Sequence, residues 1–153
     1  MVKHLFTVCI CGLMAMSAIA QKPNSDISAE ARKRILLGEK TLTEVHLKVD
    51  GKEIKESPEK NEIEKDLCVG STRFSFFADM RFALESNSNC KAAAKHTGLF
   101  EVSDDGLLSL YFDTESCKGC GNRMQFRFAE DDTEIRLIIL GGDENQTITI
   151  TLK

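Results

Sequence analysis

The feature that most constrains this chain is a two-residue alternation of apolar and polar side chains, which begins after Lys40. In the stretch "QTITITLK", for example, Ile148, Ile150 and Leu152 alternate with threonines. Such a period gives a β-strand one apolar face and one polar face. Strands of this kind need a covering layer for their apolar faces, such as the far side of a closed sheet or a second sheet.

Eight such runs are separated by turn-forming residues. They are Thr41–Val49, Thr72–Phe77, Met80–Ser86, Thr97–Val102, Leu107–Asp113, Arg123–Ala129, Thr133–Leu140 and Gln146–Lys153. Short turns make neighbouring strands antiparallel, and pairing the last strand with the first removes both exposed edges. We therefore predict an all-β fold, an eight-stranded antiparallel up-and-down barrel, with an open two-sheet sandwich as the alternative.

The residues before and between these strands predict the remaining organisation. Ser28 can cap a short N-terminal helix that Gly38 ends. The charged segment 50–67 is interpreted as a long solvated loop. The predicted domains are a signal peptide at 1–20, an N-terminal segment with the short helix at 21–37, and a barrel domain at 38–153.

The first 20 residues have the pattern of a secretory signal. A short basic start is followed by an apolar run and by Ala18-Ile19-Ala20, which fits the cleavage rule of signal peptidase. The apolar run is too short for a membrane span of about 20 residues. We therefore expect cleavage after Ala20 and a secreted or periplasmic protein.

Composition and motifs exclude several functions. The chain has 20 Lys and Arg against 24 Asp and Glu, a net charge of −4, with no basic stripe for nucleic acid. It has no nucleophile elbow, no zinc-protease helix motif and no phosphate-binding loop. We expect no enzymatic activity, cofactor, metal site or membrane span. The Asn145-Gln146-Thr147 sequon matters only in a eukaryotic source.

Several blocks resemble the lipocalin-like, calycin-type small barrels of secreted and bacterial envelope proteins. They are Gly38 before the first strand, "DLCVGSTRFSFFADMRF", Cys90 after the next strand, and "HTGLFEVSDDGLLSLYF". The family usually has Trp two residues after that glycine, at the barrel floor; here the position is Lys40, and the chain has no Trp. The sequence leaves open how the floor closes. A weaker resemblance, through "NSNC" and "TESC", is to META-type domains.

The resemblance implies a lumen that holds one small hydrophobic molecule. The inward residues expected to line it are Phe74, Phe76, Phe82, Phe100, Leu110, Phe126, Leu137 and Ile150. An eight-stranded barrel is just wide enough either to be filled by its side chains or to hold such a ligand. The alternative is therefore a secreted protein-interaction module with a filled core, which would use the outward-facing Phe77, Leu99, Tyr111 and Ile138; its partner stays unknown.

Four cysteines follow the signal, namely Cys68, Cys90, Cys117 and Cys120, and an exported chain favours disulfides. Three pairings are possible. Resembling proteins often pair cysteines that flank the hairpin of the second and third strands, which implies Cys68–Cys90. Such a bond closes a 22-residue separation and would stabilise the fold by roughly 3 kcal/mol.

Cys117 and Cys120 fall in the turn between the fifth and sixth strands and are interpreted as a second, structural disulfide, Cys117–Cys120. A zinc site built from all four thiolates and a thiol oxidoreductase, the third functional class, remain alternatives. His46 and His96 could serve as ligands but are interpreted as surface histidines.

Overall fold

The computed structural model describes residues 27–87, 90, 95–113, 115, 122–129 and 134–153. The predicted signal peptide and the pair Cys117 and Cys120 lie outside these residues, so their predictions stay predictions. Among the described residues, no helix has the length and apolar character needed to cross a membrane.

The predicted all-β barrel is confirmed. The elements, in chain order, are α1 (Ala29–Leu36), β1 (Gly38–Val49), β2 (Lys52–Ile54), α2 (Pro58–Asp66), β3 (Arg73–Phe76), β4 (Arg81–Glu85), β5 (Lys95–Val102), β6 (Leu107–Phe112), β7 (Arg123–Phe128), β8 (Ile135–Ile139) and β9 (Gln146–Leu152). From β3 to β9 each strand pairs antiparallel with the next, as short connections require.

The long first strand closes the barrel. The residues 38–41 of β1 pair with β3, and the residues 42–49 pair with β9 on the other edge. The register with β9 shifts between Leu42 and Glu44, just after Thr41, the last residue of β1 that pairs with β3. Because β1 is paired on both edges, the barrel has eight strands, and the open sandwich alternative is wrong.

The segment expected to be a solvated loop contains a strand and a helix, so that prediction is wrong. β2 forms a hairpin with the upper part of β1 through Asp50 and Gly51, whose φ angles of 50° and 76° are typical of a two-residue turn. α2 begins at Pro58, and the Ser57 hydroxyl accepts a hydrogen bond from the Lys60 amide at 3.0 Å. Both the Asp-Gly pair and the Ser-Pro cap are signals the sequence carried.

The N-terminal helix covers one end of the barrel, which we call the closed end. Leu36 is fully buried in the same cluster as Phe76 and Phe100. Arg32 is also buried, donates a hydrogen bond to the Asp104 carbonyl at 3.3 Å and lies 5.8 Å from the centre of the Phe128 ring. The floor left open by Lys40 is therefore covered by α1. The opposite end, where β4, β6 and β8 finish, is the open end.

Candidate functional site: the cavity at the open end

A cavity of about 630 Å³ occupies the open half of the lumen. Most of its wall is apolar and comes from the inward faces of the strands and from the residue after α2. Its main apolar residues are Leu42, Leu67, Phe74, Leu84, Phe112, Met124, Phe126, Ile139 and Ile150. Polar groups are confined to fewer positions, namely Asp66, Thr72, Ser86, His96, Arg123 and Gln125.

Strand alternation explains where the cavity begins. Along β3 to β5 the inward positions become smaller or more polar towards the open end, in the series Phe76, Phe74, Thr72; Phe82, Leu84, Ser86; and Phe100, Gly98, His96. The large rings meet near the closed end, where Phe76 and Phe100 pack edge to face at 5.1 Å. The lumen is therefore filled near the closed end and hollow near the open end.

All eight residues predicted to line the lumen are buried, but the structure divides them into two groups. Phe74, Phe126 and Ile150 line the cavity. The other five, Phe76, Phe82, Phe100, Leu110 and Leu137, are absent from its wall and form core. Ligand binding by any of the eight stays a prediction.

Gly98 allows the backbones of β5 and β6 to approach each other closely beside the cavity. A Cβ atom at this position would lie 1.9 Å from the Tyr111 carbonyl oxygen and 2.9 Å from the Phe82 ring. Because Gly98 has no Cβ atom, the Phe82 ring can pack edge to face on the Phe112 ring, with centroids 5.4 Å apart. The Phe112 ring in turn packs edge to face on the His96 ring at 5.9 Å. A line of rings therefore runs from the core to the rim.

Several cavity residues were not predicted from the sequence. Leu84 and Phe112 share an inward face with Phe82 and Leu110, so alternation alone could have identified them. Met124 lines the cavity but stays 40% exposed because it lies at the mouth. The interpretation of His96 as a surface residue is wrong, since its strand position opposite Leu84 turns it into the lumen.

A short hydrogen-bonded chain forms one polar side of the rim. Thr72, only 5% exposed, donates from its hydroxyl to the Leu67 carbonyl at 2.7 Å. The Thr72 and Ser86 hydroxyl oxygens are 3.1 Å apart. Thr72 directly precedes β3, Ser86 directly follows β4, and His96 lies on the neighbouring strand β5. This rim arc of three residues therefore occupies a single wall of the cavity.

The predicted Cys68–Cys90 disulfide is present and braces the same wall. Its Cα atoms are 6.0 Å apart, and it ties the segment after α2 to the connection that follows β4. Cys68 directly follows Leu67, the residue that accepts the Thr72 hydrogen bond. The bond uses two of the four thiolates that the zinc alternative required, and the described part of the chain contains no cluster of three or more potential metal ligands.

Two carboxyl groups whose pKa values are shifted, those of Glu53 and Glu85, lie on strands and away from the cavity wall. The pKa of Glu53 is lowered chiefly by its hydrogen bond with His46, whose other ring nitrogen is 3.3 Å from Glu44. The pKa of Glu85 is lowered chiefly by its hydrogen bond with Lys95. Neither carboxylate lines the cavity, so these shifts indicate surface ion pairs rather than acid–base chemistry in the lumen.

The outer face carries exposed apolar side chains. Phe77, Leu99 and Tyr111 are exposed, as the sequence predicts, whereas Ile138 is half-buried. Leu99 and Tyr111 are direct partners across β5 and β6. Single apolar residues on a surface are common in soluble proteins and define no site by themselves.

Comparison with known proteins found only a weak structural likeness. No protein-family model and no curated protein matches the chain. Among solved structures, an uncharacterised protein from Bacteroides eggerthii DSM 20697 is similar, with 14% identity over 77% of this chain and 99% of that one. Its TM-score is 0.44, so the likeness carries no argument about fold or function.

Proposed function

We propose that this protein is a lipocalin-like barrel that binds one small apolar molecule in the cavity at its open end. The observation that carries the proposal is the cavity itself, at about 630 Å³. Ligand sites are typically concave, mostly apolar and about 300–1,000 Å³ in volume. This cavity has that size, that composition and a few polar groups gathered at its rim.

The alternative function, an interaction module with a filled barrel, fits these observations less well. A filled barrel would continue large inward side chains up to the rim. Instead the inward positions nearest the rim are Thr72, Ser86 and His96. The third class, a thiol oxidoreductase, depends on Cys117 and Cys120, which lie outside the described residues, and nothing here favours it.

We also propose that the protein is exported and acts outside the cytoplasm, with residues 1–20 removed and 38–153 forming the barrel domain. The Cys68–Cys90 disulfide supports this because such bonds persist in oxidising compartments. β1 begins at Gly38, which fits the proposed boundary. Mass analysis of the exported protein should find Gln21 as its first residue; retention of Met1 would contradict the proposal.

Binding can be tested with N-phenyl-1-naphthylamine, a neutral dye that fluoresces in apolar surroundings. We expect saturable binding at one site per chain. Met124→Glu puts a carboxylate into the cavity at a position exposed enough to keep the charge hydrated. Because an apolar ligand would have to desolvate that charge, we expect its affinity to fall about tenfold or more.

Leu99→Glu is the matched control. Leu99 is 55% exposed on the outer face, so this variant gains the same charge without touching the cavity. It should bind the dye as the parent does. Absence of dye binding by the parent, or equal weakening in both variants, would overturn the proposed function.

A further inference from the structure

The protons of the rim arc have a fixed direction. A hydroxyl group has one proton to donate and two lone pairs that accept. The Thr72 hydroxyl lies 2.7 Å from the Leu67 carbonyl, which can only accept, so the Thr72 proton points at that carbonyl. Thr72 is 5% exposed, which keeps water from competing for this bond.

The direction of the Thr72 hydroxyl proton decides the direction of the Ser86 hydroxyl proton. The two hydroxyl oxygens are 3.1 Å apart, and Thr72 has no second proton to give. Ser86 must therefore donate to Thr72. Its own proton is then occupied, and what Ser86 offers to the cavity is a lone pair.

We propose that the cavity selects apolar molecules whose head group is a neutral hydrogen-bond donor, such as a primary alcohol, over molecules whose head group can only accept. This inference rests on the proposed function and names its ligand class. A donor completes the chain from ligand to Ser86 to Thr72 to Leu67. A carboxylate or ether oxygen would instead face the Ser86 lone pairs.

The remaining polar residues of the wall are Asp66, Arg123 and Gln125, together with His96 of the arc. Asp66 adds a second acceptor close to Leu67. Arg123, a donor that also lines the cavity, lies on β7, across the barrel from β3. An uncharged imidazole has one nitrogen that accepts and one that donates, so His96 can meet either kind of head group. On the side of the cavity that holds Ser86, the Ser86 lone pairs and the Asp66 carboxylate are acceptors.

The test is displacement of bound N-phenyl-1-naphthylamine by three compounds with the same chain length, 1-decanol, 1-methoxydecane and decanoate, each kept below its solubility or micelle limit. The alcohol donates and accepts, the ether only accepts, and decanoate is an anionic acceptor. The measured quantity is the ratio of alcohol affinity to ether affinity. We expect that ratio to be about fivefold higher in the parent than in Ser86→Ala, which has lost the acceptor.

Two further variants sharpen the test. Ser75→Ala makes the same substitution on the outward side of β3, outside the cavity wall, and should keep the parent ratio. Thr72→Val removes the group that holds the Ser86 proton. Ser86 can then donate into the cavity, so decanoate affinity should rise several-fold while the alcohol-to-ether ratio falls.

The possible outcomes separate this inference from the proposed function. Equal alcohol-to-ether ratios in the parent and Ser86→Ala, with dye binding intact, would overturn the donor preference and leave the carrier standing. Decanoate binding by the parent as tight as that of decanol would do the same. No dye binding by the parent would overturn both.

Discussion

The closed and open halves of this barrel are built from the same strands and the same alternation, yet one is filled and the other hollow. Near the closed end, aromatic and leucine side chains from facing strands meet, and α1 adds Leu36 beneath them. Near the open end, the inward positions of three adjacent strands are Thr72, Ser86 and His96. The volume of the inward side chains, level by level, therefore decides whether an eight-stranded barrel is a core or a container.

The largest expected effect comes from removing a ring in the filled half. Phe100→Ala truncates a side chain that is 2% exposed and packed on Phe76. The loss should reduce the free energy of unfolding by about 3–5 kcal/mol, because it adds a cavity to the lost transfer energy. Urea unfolding followed by circular dichroism measures it.

Phe126→Ala makes the same truncation at the border of the hollow half. Phe126 already lines the cavity, so its removal enlarges an existing space, and we expect a smaller loss of about 2 kcal/mol. Dye binding should weaken in this variant. Equal losses of stability in the two variants would show that the halves do not differ in packing.

Removing the disulfide should act mainly on the hollow half. The double variant Cys68→Ser, Cys90→Ser loses a bond across 22 residues, worth roughly 3 kcal/mol on the chain-entropy model. Leu67 and Thr72 line the cavity; Leu67 precedes Cys68, and the Thr72 amide donates to the Cys68 carbonyl at 3.0 Å, so dye affinity should fall as well. The control is Cys117→Ser, Cys120→Ser, which leaves the described bond in place; unchanged dye binding without Cys68–Cys90 would contradict the bracing role.

The smallest effect is expected from surface ion pairs, one near each end. The hydrogen bond from Lys153 is the main cause that lowers the pKa of Glu134 below its ordinary value of 4.5 at the closed end. Near the open end, the hydrogen bond from Lys95 lowers the pKa of Glu85 in the same way. A lowered pKa in the folded state adds stability above the ordinary pKa, which is lost as pH falls through the lowered one.

Glu134→Gln and Glu85→Gln should therefore each flatten the acid side of the stability profile slightly. The measurement is the urea midpoint at neutral pH and at about pH 3, where the carboxyl groups of the parent gain protons. Both variants should differ from the parent at neutral pH and converge with it in acid. A difference that grows in acid would reverse the assigned sign.

Much of the barrel was predictable because strand direction and strand face are local properties. Alternation placed all eight candidate lumen residues inward, and each is buried. The sequence analysis missed α2 and the hairpin of β1 and β2 because the high charge of this segment suggested a solvated loop. Ser57-Pro58 is a helix-start signal, and Asp50-Gly51 is a hairpin-turn signal. His96 was misjudged because the predicted strand began at Thr97, whereas β5 begins at Lys95, so the alternation that turns Phe100 inward was not extended to His96.

The sequence by itself determined the eight barrel strands, their antiparallel order and the face of most inward side chains, because these follow from period-two patterning and short turns. Only the tertiary structure decided between the closed barrel and the open sandwich, through the pairing of β1 with β9. It alone showed that α1 covers one end and that the Thr72 and Ser86 hydroxyl oxygens lie 3.1 Å apart. Those outcomes depend on the stagger of strands far apart in the chain. That stagger sets which inward side chains share a level, and so where the lumen is full and where it is hollow.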